Sequence, residues 1–355
     1  MKKGFALNIC FLIFLVDAYA CTTFFINKNG QLIFGRNYDW ISDAGMVTSN
    51  LRGLKKTSVS TGEGSSISWI SKYGSMTFNQ YGKEFPTGGM NEKGLVVELM
   101  WEEQTEYPKT DNRPSLGVLQ WIQYQLDSHS TIDEVIASDN NVRISRNNPP
   151  LHYLIADANG YAATIEFYQG KITVHKGNEL PFPVLTNNPY EQSAKTAKNA
   201  NILSGDTTFS FRDNSLQRFI KACSMVQQYQ QKEIAKPLTG YAFDILDKVT
   251  QGEFTKWSIV YDLVHKKIYF KTERYRGIKS FSFNSFDFDC SSKARVLDMN
   301  QSLEGDIDKS FIPFNDKINR SIVEKAVAES KSQVPISDKE KESLVAYPGT
   351  IKCKM

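Results

Sequence analysis

The residue with the clearest chemical potential is Cys21, in the stretch AYACTTFF from Ala18 to Phe25. If the chain is cleaved after Ala20, Cys21 carries both a thiol and a free α-amine. A thiol ordinarily titrates near pKa ~8.5 and an α-amine near ~7.7–8.0. The amine is therefore partly unprotonated at neutral pH and can accept the thiol proton, directly or through water. Nucleophile and base then occur in one residue, as in enzymes with an N-terminal threonine.

No other pattern in the sequence offers a better nucleophile and base. The sequence has no G-x-S-x-G motif and no H-x-x-x-H pair, so serine hydrolases of that type and zinc hydrolases are disfavoured. None of the histidines lies in a recognisable catalytic or metal-binding motif; they are His129, His152, His175 and His265. The predicted cysteine chemistry requires no metal and no organic cofactor.

A thiolate needs positive charge nearby, and the run FGRNYDW supplies Arg36 together with Asp39. Two strand-like runs separated by KNG predict a hairpin, which would bring Arg36 back beside Cys21. Asp39 would then be placed to accept a hydrogen bond from the α-amine. The alternative is a surface ion pair of little energetic value, and the spacing alone leaves both interpretations open.

The segment before Cys21 has the composition of a secretory signal peptide. Lys2 and Lys3 precede an apolar run from Ala6 to Val16, and the small residues of Ala18-Tyr19-Ala20 follow. The apolar run is shorter than the about 20 residues that a membrane span requires. An uncleaved anchor and a lipoprotein signal, which would acylate the amine of Cys21, are the alternatives. We expect residues 1–20 to be removed and the mature protein to be periplasmic or secreted.

Length and charge exclude few classes of function. The 355-residue chain has a formal charge of +3, which falls to +2 without the leader's two lysines and one aspartate. This near-neutral composition gives no electrostatic argument for nucleic acid binding. No segment after the leader is apolar enough to span a bilayer. Because repeats and low-complexity linkers are absent, residues 21–355 are predicted to form a single domain with a C-terminal extension from about residue 303.

Four cysteines remain after the leader, which contains Cys10. An exported chain can form disulfides, and four cysteines allow three complete pairings, among which the sequence does not choose. Cys223 lies in an apolar helical stretch and is interpreted as a small buried residue. Cys290 and Cys353 are candidates for a disulfide that fastens the tail.

The elements that must position Cys21 occur in alternating groups of strands and helices. Strands are predicted in 22–27, 31–40, 65–71, 74–80, 87–101, 151–175, 256–275 and 278–283. Helices are predicted in 114–128, 130–138, 215–231, 240–251 and 321–332, with 191–213 predicted as rich in loops. The order lacks the regular crossovers of a doubly wound sheet. It favours an α+β fold of antiparallel sheets with helices on their outer faces.

Four motifs, in order along the chain, resemble one known family. The segments CTTFF…GRNYDW, GGMNEKGLVVELMW, VLTNNP and SLQRF are similar to the choloylglycine hydrolase family of linear amide C–N hydrolases, which contains bile salt hydrolases and penicillin V acylases. The resemblance extends from Cys21 to about Phe283. It implies an N-terminal nucleophile (Ntn) hydrolase with a four-layer αββα sandwich and a small-molecule N-acyl amide substrate. Relatives are often tetramers, so a homo-oligomer, either a tetramer or a dimer, is expected.

The resemblance assigns roles to the residues that match its motifs. Cys21 matches the nucleophile, and Arg36 and Asp39 match the pair that tunes the thiol and holds the α-amine. Asn187 in TNNP matches the oxyanion-hole amide, and Arg218 in SLQRF matches a second active-site arginine. Without the resemblance, TNNP is an ordinary turn and Arg218 a charge on a helix surface.

Trp101 stands where many bile salt hydrolases have an asparagine that helps to form the oxyanion hole. An indole cannot supply that amide, so the second donor is expected to be a backbone N–H near Trp101. Together with Trp40, it resembles the Gram-negative branch of the family, which includes penicillin V acylases that also take acyl-homoserine lactones. Two indoles beside the nucleophile predict a flat apolar wall for an acyl or aryl group. The alternative for Trp101 is core packing.

The predicted activity is hydrolysis of a linear amide through a thioester on Cys21. One alternative is an acyltransferase of related fold, in which an amine rather than water resolves the thioester. Another is a non-catalytic exported lipoprotein or binding protein in which Cys21 is modified. The sequence does not identify the acyl amide.

Overall fold

A computed structural model describes residues 21–200, 202 and 214–354, so the predicted signal peptide lies outside the described residues. The first half of the chain contributes most strands. Strands β1–β14 are Thr22–Lys28, Gln31–Asp39, Met46–Asn50, Leu54–Thr57, Ser68–Ile70, Ser75–Asn79, Pro86–Asn91, Val96–Trp101, Ser115–Leu116, Arg143–Ile144, Leu151–Ala156, Ala162–Tyr168, Lys171–Lys176 and Val184–Leu185. Strands β15–β21 are Thr255–Asp262, Lys267–Thr272, Lys279–Ser282, Arg295–Asp298, Gly305–Asp306, Ile312–Pro313 and Lys352–Cys353. Helices α1–α7 are Val118–Ser128, Ile132–Ala137, Tyr190–Asn199, Asn214–Gln231, Leu238–Lys248, Asp316–Ser330 and Asp338–Ala346.

Two large sheets dominate the described part of the chain. One has seven strands in the order β14-β1-β2-β15-β16-β17-β19, and the other has nine in the order β13-β12-β11-β8-β7-β6-β3-β18-β20. All pairings in the two sheets are antiparallel except β17 with β19. Helices α4 and α5 pack on the seven-stranded sheet, and α1 and α2 pack on the nine-stranded sheet. The predicted α+β, four-layer αββα sandwich is therefore confirmed.

The first hairpin fixes the positions of the residues next to Cys21. Asn29 and Gly30 have φ values of 53° and 76°, the left-handed pair that a tight Asn-Gly hairpin turn needs. With this turn, Thr22 pairs with Asn37 and Thr23 pairs with Arg36. The hairpin predicted from KNG is confirmed, and it brings the start of β1 beside the end of β2.

The structure corrects two predicted boundaries. Helix α1 begins at Val118 rather than near Pro114, because residues 115–116 pair with β10 and Gly117 caps the helix in an extended conformation. Within 191–213, the part up to Asn199 is helical, with Tyr190, Ala194 and Ala197 turned into the core. Residues 203–213 lie outside the described part. The second predicted helix is confirmed with its capping box between Thr131 and Glu134.

The C-terminal region packs against the nine-stranded side of the molecule. Helix α6 buries Ile322, Val323 and Ala326 in a cluster that also contains Tyr81. Strand β21 pairs with β4, and the candidate disulfide between Cys290 and Cys353 is present. Helix α7 was not predicted from the sequence. Across 21–200 and 214–354, the helices are too short or too polar to cross a membrane.

Candidate active site

Cys21 lies immediately before β1, at the edge of the seven-stranded sheet where β1 begins and the neighbouring strand β2 ends. It is 4% exposed, and its Sγ lies 3.9 Å from the backbone oxygen of Asp39. Burial raises the pKa of the Cys21 thiol, and the nearby positive charge of Arg36 opposes that shift. The thiol is therefore held in its neutral form until a base takes the proton.

Arg36 is fully buried beneath the thiol and is held by the other sheet. Its Nη1 donates 2.9 Å to the backbone oxygen of Thr87, its Nη2 donates 3.2 Å to that of Leu99, and Nη1 also pairs with the carboxylate of Glu98. Burial raises the pKa of Glu98 to about 7, although the charge of Arg36 opposes the shift. The arginine charge is thus fixed in place across the two sheets.

Glu98 was not predicted as part of the site. The available signal was a charged residue inside the apolar run GLVVELMW. Its carboxylate also accepts a hydrogen bond from Tyr261. Gly88 on the neighbouring strand makes room for it, since a Cβ at Gly88 would overlap the carboxylate of Glu98. A buried acid of this kind compensates the buried arginine charge.

Asp39 ends β2 beside Cys21 and is 1% exposed. Its Oδ1 accepts a 2.5 Å hydrogen bond from the hydroxyl of Thr255, while its buried Oδ2 has no hydrogen-bond partner among the described residues. Burial raises the pKa of Asp39 to about 6, and the charge of Arg218 is the largest influence that opposes it. The carboxylate is therefore available to a cation placed next to Cys21.

Arg218 on α4 reaches from the helix layer into the site and is 5% exposed. Its Nη1 donates to the backbone oxygen of Cys21 at 2.7 Å and to the hydroxyl of Thr22 at 2.6 Å. Its Nη2 donates to Oδ1 of Asn187 at 3.1 Å, and its Nε donates to Oδ1 of Asn214 at 2.8 Å. The side chain is a buried bridge between Cys21 and Asn187, not a charge on a helix surface.

Asn187 follows β14 and is half-buried. Its Nδ2 donates 2.7 Å to the backbone oxygen of Trp101, and its backbone N–H donates 2.9 Å to the hydroxyl of Ser215. Because an amide nitrogen carries two hydrogens, donation to Trp101 is compatible with donation to a substrate oxygen. With Arg218 on its oxygen, the amide is held from both ends.

A second buried network supports the turn that carries Asn187. The Nε2 of His152 lies 2.6 Å from the backbone oxygen of Thr186, and its Nδ1 lies 3.1 Å from Glu166. Burial alone would raise the pKa of Glu166, but hydrogen bonds from His152 and His175 hold it at about 2. Tyr190 also donates its backbone N–H to Glu166 at 3.0 Å. No sequence motif identified this network, because its members come from four separate segments.

Trp40 and Trp101 form one side of a cavity of about 840 Å³ that also contains Cys21 and Asp39 in its lining. The two indole rings lie 6.0 Å apart with an interplanar angle of 32°. The Nε1 of Trp40 donates 3.0 Å to the hydroxyl of Tyr81. Four of the seven predicted site residues, Cys21, Asp39, Trp40 and Trp101, line this cavity. The other three lie behind the lining, where Arg36 donates to Thr87, Asn187 to Trp101 and Arg218 to Cys21. Within the described residues, no group of three histidine, cysteine, aspartate or glutamate side chains could hold a metal ion.

Sequence comparison identifies relatives over most of the chain. A model of the family described as linear amide C-N hydrolases, choloylglycine hydrolase family, matches residues 21–296. The penicillin V acylase of Pectobacterium atrosepticum is 30% identical over 233 residues, which cover 59% of this chain and 60% of that protein. This chain therefore spans less than two thirds of the length of the curated relative it matches.

Structural comparison agrees with the sequence match. The penicillin V acylase of Agrobacterium tumefaciens superposes with a TM-score of 0.72 at 24% identity, covering 83% of this chain and 98% of that one. A variant of the conjugated bile acid hydrolase of Clostridium perfringens superposes with a TM-score of 0.65 at 19% identity, covering 80% and 98%. These likenesses show a shared fold. Together with the match to residues 21–296, they lead to the conclusion that this chain belongs to the choloylglycine hydrolase family of linear amide C-N hydrolases.

Proposed function

We propose that this protein hydrolyses the linear amide bond of N-acyl compounds, with Cys21 as an N-terminal nucleophile. The observation that carries the proposal is the placement of Arg36, Asp39 and Arg218 around Cys21 at the wall of an apolar cavity, with Asn187 held by Arg218 and by the backbone of Trp101. The family match begins at Cys21 itself, which supports removal of residues 1–20. The leader composition supports export, so the mature enzyme acts in the periplasm or outside the cell.

The reaction begins with proton transfer from the thiol of Cys21 to its own α-amine. The thiolate attacks the carbonyl carbon of the amide, while the carbonyl oxygen becomes an oxyanion that accepts hydrogen bonds from Asn187 Nδ2 and from a backbone N–H near Trp101. The α-ammonium then gives its proton to the leaving nitrogen as the carbon–nitrogen bond breaks. The products of this half-reaction are a free amine and a thioester on Cys21.

Water completes the cycle. The unprotonated α-amine accepts a proton from water, and the resulting hydroxide attacks the thioester carbonyl. The carbon–sulfur bond breaks, the carboxylic acid leaves, and the Cys21 thiolate takes the proton from the α-ammonium, which restores the free amine. The fixed charge of Arg36 favours the thiolate in both half-reactions. Oδ2 of Asp39 orients the α-ammonium, and this contact would hold the pKa of Asp39 lower than in the unprocessed chain.

The substrate class follows from the cavity and from the relatives. The names of the relatives identify a penicillin V acylase and a conjugated bile acid hydrolase. Penicillin V, conjugated bile salts and acyl-homoserine lactones each present an apolar acyl group on a central amide, which suits the two-indole wall. A homo-oligomer, either a tetramer or a dimer, remains part of the proposal.

The decisive experiment combines N-terminal sequencing, intact mass and a substrate panel on the purified mature protein. We expect an unmodified Cys21 at the N-terminus and hydrolysis of at least one of these three substrates. An acylated amine or an uncleaved leader with no turnover would refute the proposal. Added amine acceptors separate the alternatives, because an acyltransferase would form new amides instead of free acid.

A further inference from the structure

The far wall of the cavity is built by the C-terminal region, which lies beyond residue 296, where the family match ends. We call the segment from Val334 to Leu344 the tail wall. It consists of the end of the connection after α6 and most of α7. Its members that line the cavity are Val334, Pro335, Ile336, Ser337, Lys339, Glu340, Ser343 and Leu344. The cavity that holds the nucleophile is therefore completed by residues outside the shared family region.

The tail wall presents polar residues, including Lys339 and Glu340, and also a set of apolar residues to the cavity. Val334 is half-buried against the main core, and Ile336 and Leu344 are half-buried against the cluster that contains Tyr81. Leu119 at the start of α1 is packed against the same cluster and also lines the cavity. An apolar surface thus continues from the indoles to the tail wall.

Hydrogen bonds connect this region directly to the indole side of the site. The hydroxyl of Tyr81 accepts from Nε1 of Trp40 and donates 2.9 Å to the hydroxyl of Ser330 at the end of α6. The hydroxyl of Ser330 in turn donates 2.7 Å to the backbone oxygen of Ala326. All four residues are buried. The position of the tail wall is therefore coupled to the position of Trp40.

The other end of the tail wall is also fixed. The capping box between Ser337 and Glu340 defines the start of α7. Beyond α7, the ring of Tyr347 packs 5.2 Å from that of Phe85, and its hydroxyl donates 2.9 Å to the backbone oxygen of Thr57. A wall held at both ends can discriminate between ligands by size.

We propose that the tail wall determines acyl-chain specificity by holding the distal end of a long or bulky apolar acyl group. This inference rests on the proposed function, since it concerns the substrate of the same site. The cavity volume of about 840 Å³ lies in the upper part of the ~300–1,000 Å³ range of drug-sized ligand sites. A short acyl group ends at the indoles and leaves the tail wall uncovered. A long aliphatic chain or a fused-ring acyl group extends to Ile336 and Leu344 and covers them.

The test uses Leu344→Trp in the full mature enzyme, with butanoyl, octanoyl and dodecanoyl para-nitroanilides as substrates. Because the larger ring fills the far end, we expect kcat/KM for the dodecanoyl substrate to fall about tenfold, the equivalent of losing the burial of about two methylene groups. The value for the butanoyl substrate stays unchanged. Ala346→Trp, an exposed position on the same helix, is the matched control and leaves all three values unchanged.

Calorimetric binding of butanoate, octanoate and dodecanoate to the same proteins separates this inference from the proposed function. If Leu344→Trp weakens dodecanoate binding selectively but no amide is hydrolysed, the tail wall stands and the proposed hydrolase function fails. If the amides are hydrolysed and Leu344→Trp leaves the chain-length profile of wild type, the tail-wall proposal is wrong. Ile336→Ser, expected to lower only the dodecanoyl value several-fold, provides a second variant should Leu344→Trp not fold.

Discussion

Replacement of Arg218 by alanine removes the side chain that joins the nucleophile residue to Asn187. Arg218 donates hydrogen bonds of 2.6–3.1 Å to Cys21, Thr22, Asn187 and Asn214, and the bond to Asn187 holds its Oδ1. Without it the amide of Asn187 is no longer fixed, and loss of one oxyanion donor ordinarily costs about 10²–10³ in rate. We therefore expect kcat/KM to fall about 10²-fold or more.

We expect the Arg218→Ala variant to lose most of its activity but only part of its free energy of unfolding. The acceptors on Thr22 and Cys21 lose a charge-assisted donor, which costs about 1–3 kcal/mol. Folded domains ordinarily have about 5–15 kcal/mol in reserve, so the Arg218→Ala protein remains folded at 25 °C. Urea denaturation provides the measurement and ensures that lost activity is not mistaken for unfolding.

The same substitution should also change the pH dependence. Arg218 is the largest influence that lowers the pKa of Asp39 against the effect of burial. Removing its charge raises that pKa, so the carboxylate is lost at a higher pH as the solution is acidified. The acid limb of the kcat/KM profile should therefore move upward by about one pH unit.

Arg218→Lys separates charge from geometry. Lysine keeps the positive charge but lacks the planar group that reaches Cys21, Thr22 and Asn187 together. We expect its acid limb to stay near that of the wild type while its rate remains close to that of Arg218→Ala. Our interpretation of Arg218 is wrong if the lysine variant has wild-type activity, or if both variants shift the acid limb equally.

Three further predictions concern separate parts of the molecule. Cys21→Ser, made with processing preserved, should lose nearly all amidase activity, and unchanged turnover would refute the nucleophile assignment. The pKa of Glu166 is about 2 in the folded protein against 4.5 for a free side chain. Its ionisation therefore adds about 3 kcal/mol to the free energy of unfolding above pH ~4.5, and this contribution is lost as the pH falls towards 2. Glu166→Gln should therefore lower the free energy of unfolding by about that amount at pH 7 but little near pH 2, and an equal loss at both pH values would contradict this reasoning. The disulfide between Cys290 and Cys353 closes a loop with a sequence separation of 63, so Cys353→Ser should lower the free energy of unfolding by about 2–4 kcal/mol. Denaturation of this variant at the same midpoint as the wild type would show that the tail is held by packing alone.

Much of the fold was predictable because local patterns agreed with tertiary packing. The KNG turn occurs as predicted because Asn29 and Gly30 adopt the left-handed conformations of a tight hairpin. The meander over 151–175 and the helix from 215 to 231 also occur as predicted, since their apolar periodicity matches the faces they bury. Helix α1 begins later than predicted because Ser115 and Leu116, directly after Pro114, form a short parallel strand pair with β10. Helix α3 was missed because it is polar on most of its surface and depends for its packing on four buried residues, Tyr190, Ser193, Ala194 and Ala197.

The candidate site residues also differ in how far the sequence could predict them. Cys21, Arg36 and Asp39 could be selected from the sequence, because one hairpin places them together and their chemistry is complementary. Asn187 and Arg218 could be selected only through family resemblance, since no local pattern distinguishes them from a turn and a surface charge. Arg218 contacts Cys21 and holds Asn187 because of how α4 packs on the seven-stranded sheet.

The sequence by itself determined that Cys21 is the candidate nucleophile and which hairpin lies beside it. It also determined the family, because four motifs keep their order along the chain. Only the tertiary structure decided which acid balances Arg36, how Glu166 and His152 support the turn before Asn187, and which segment closes the cavity. The physical reason is that the register of neighbouring strands sets the contacts within the hairpin. The partner of a buried charge and the far side of a cavity instead depend on packing between segments that are far apart in the chain.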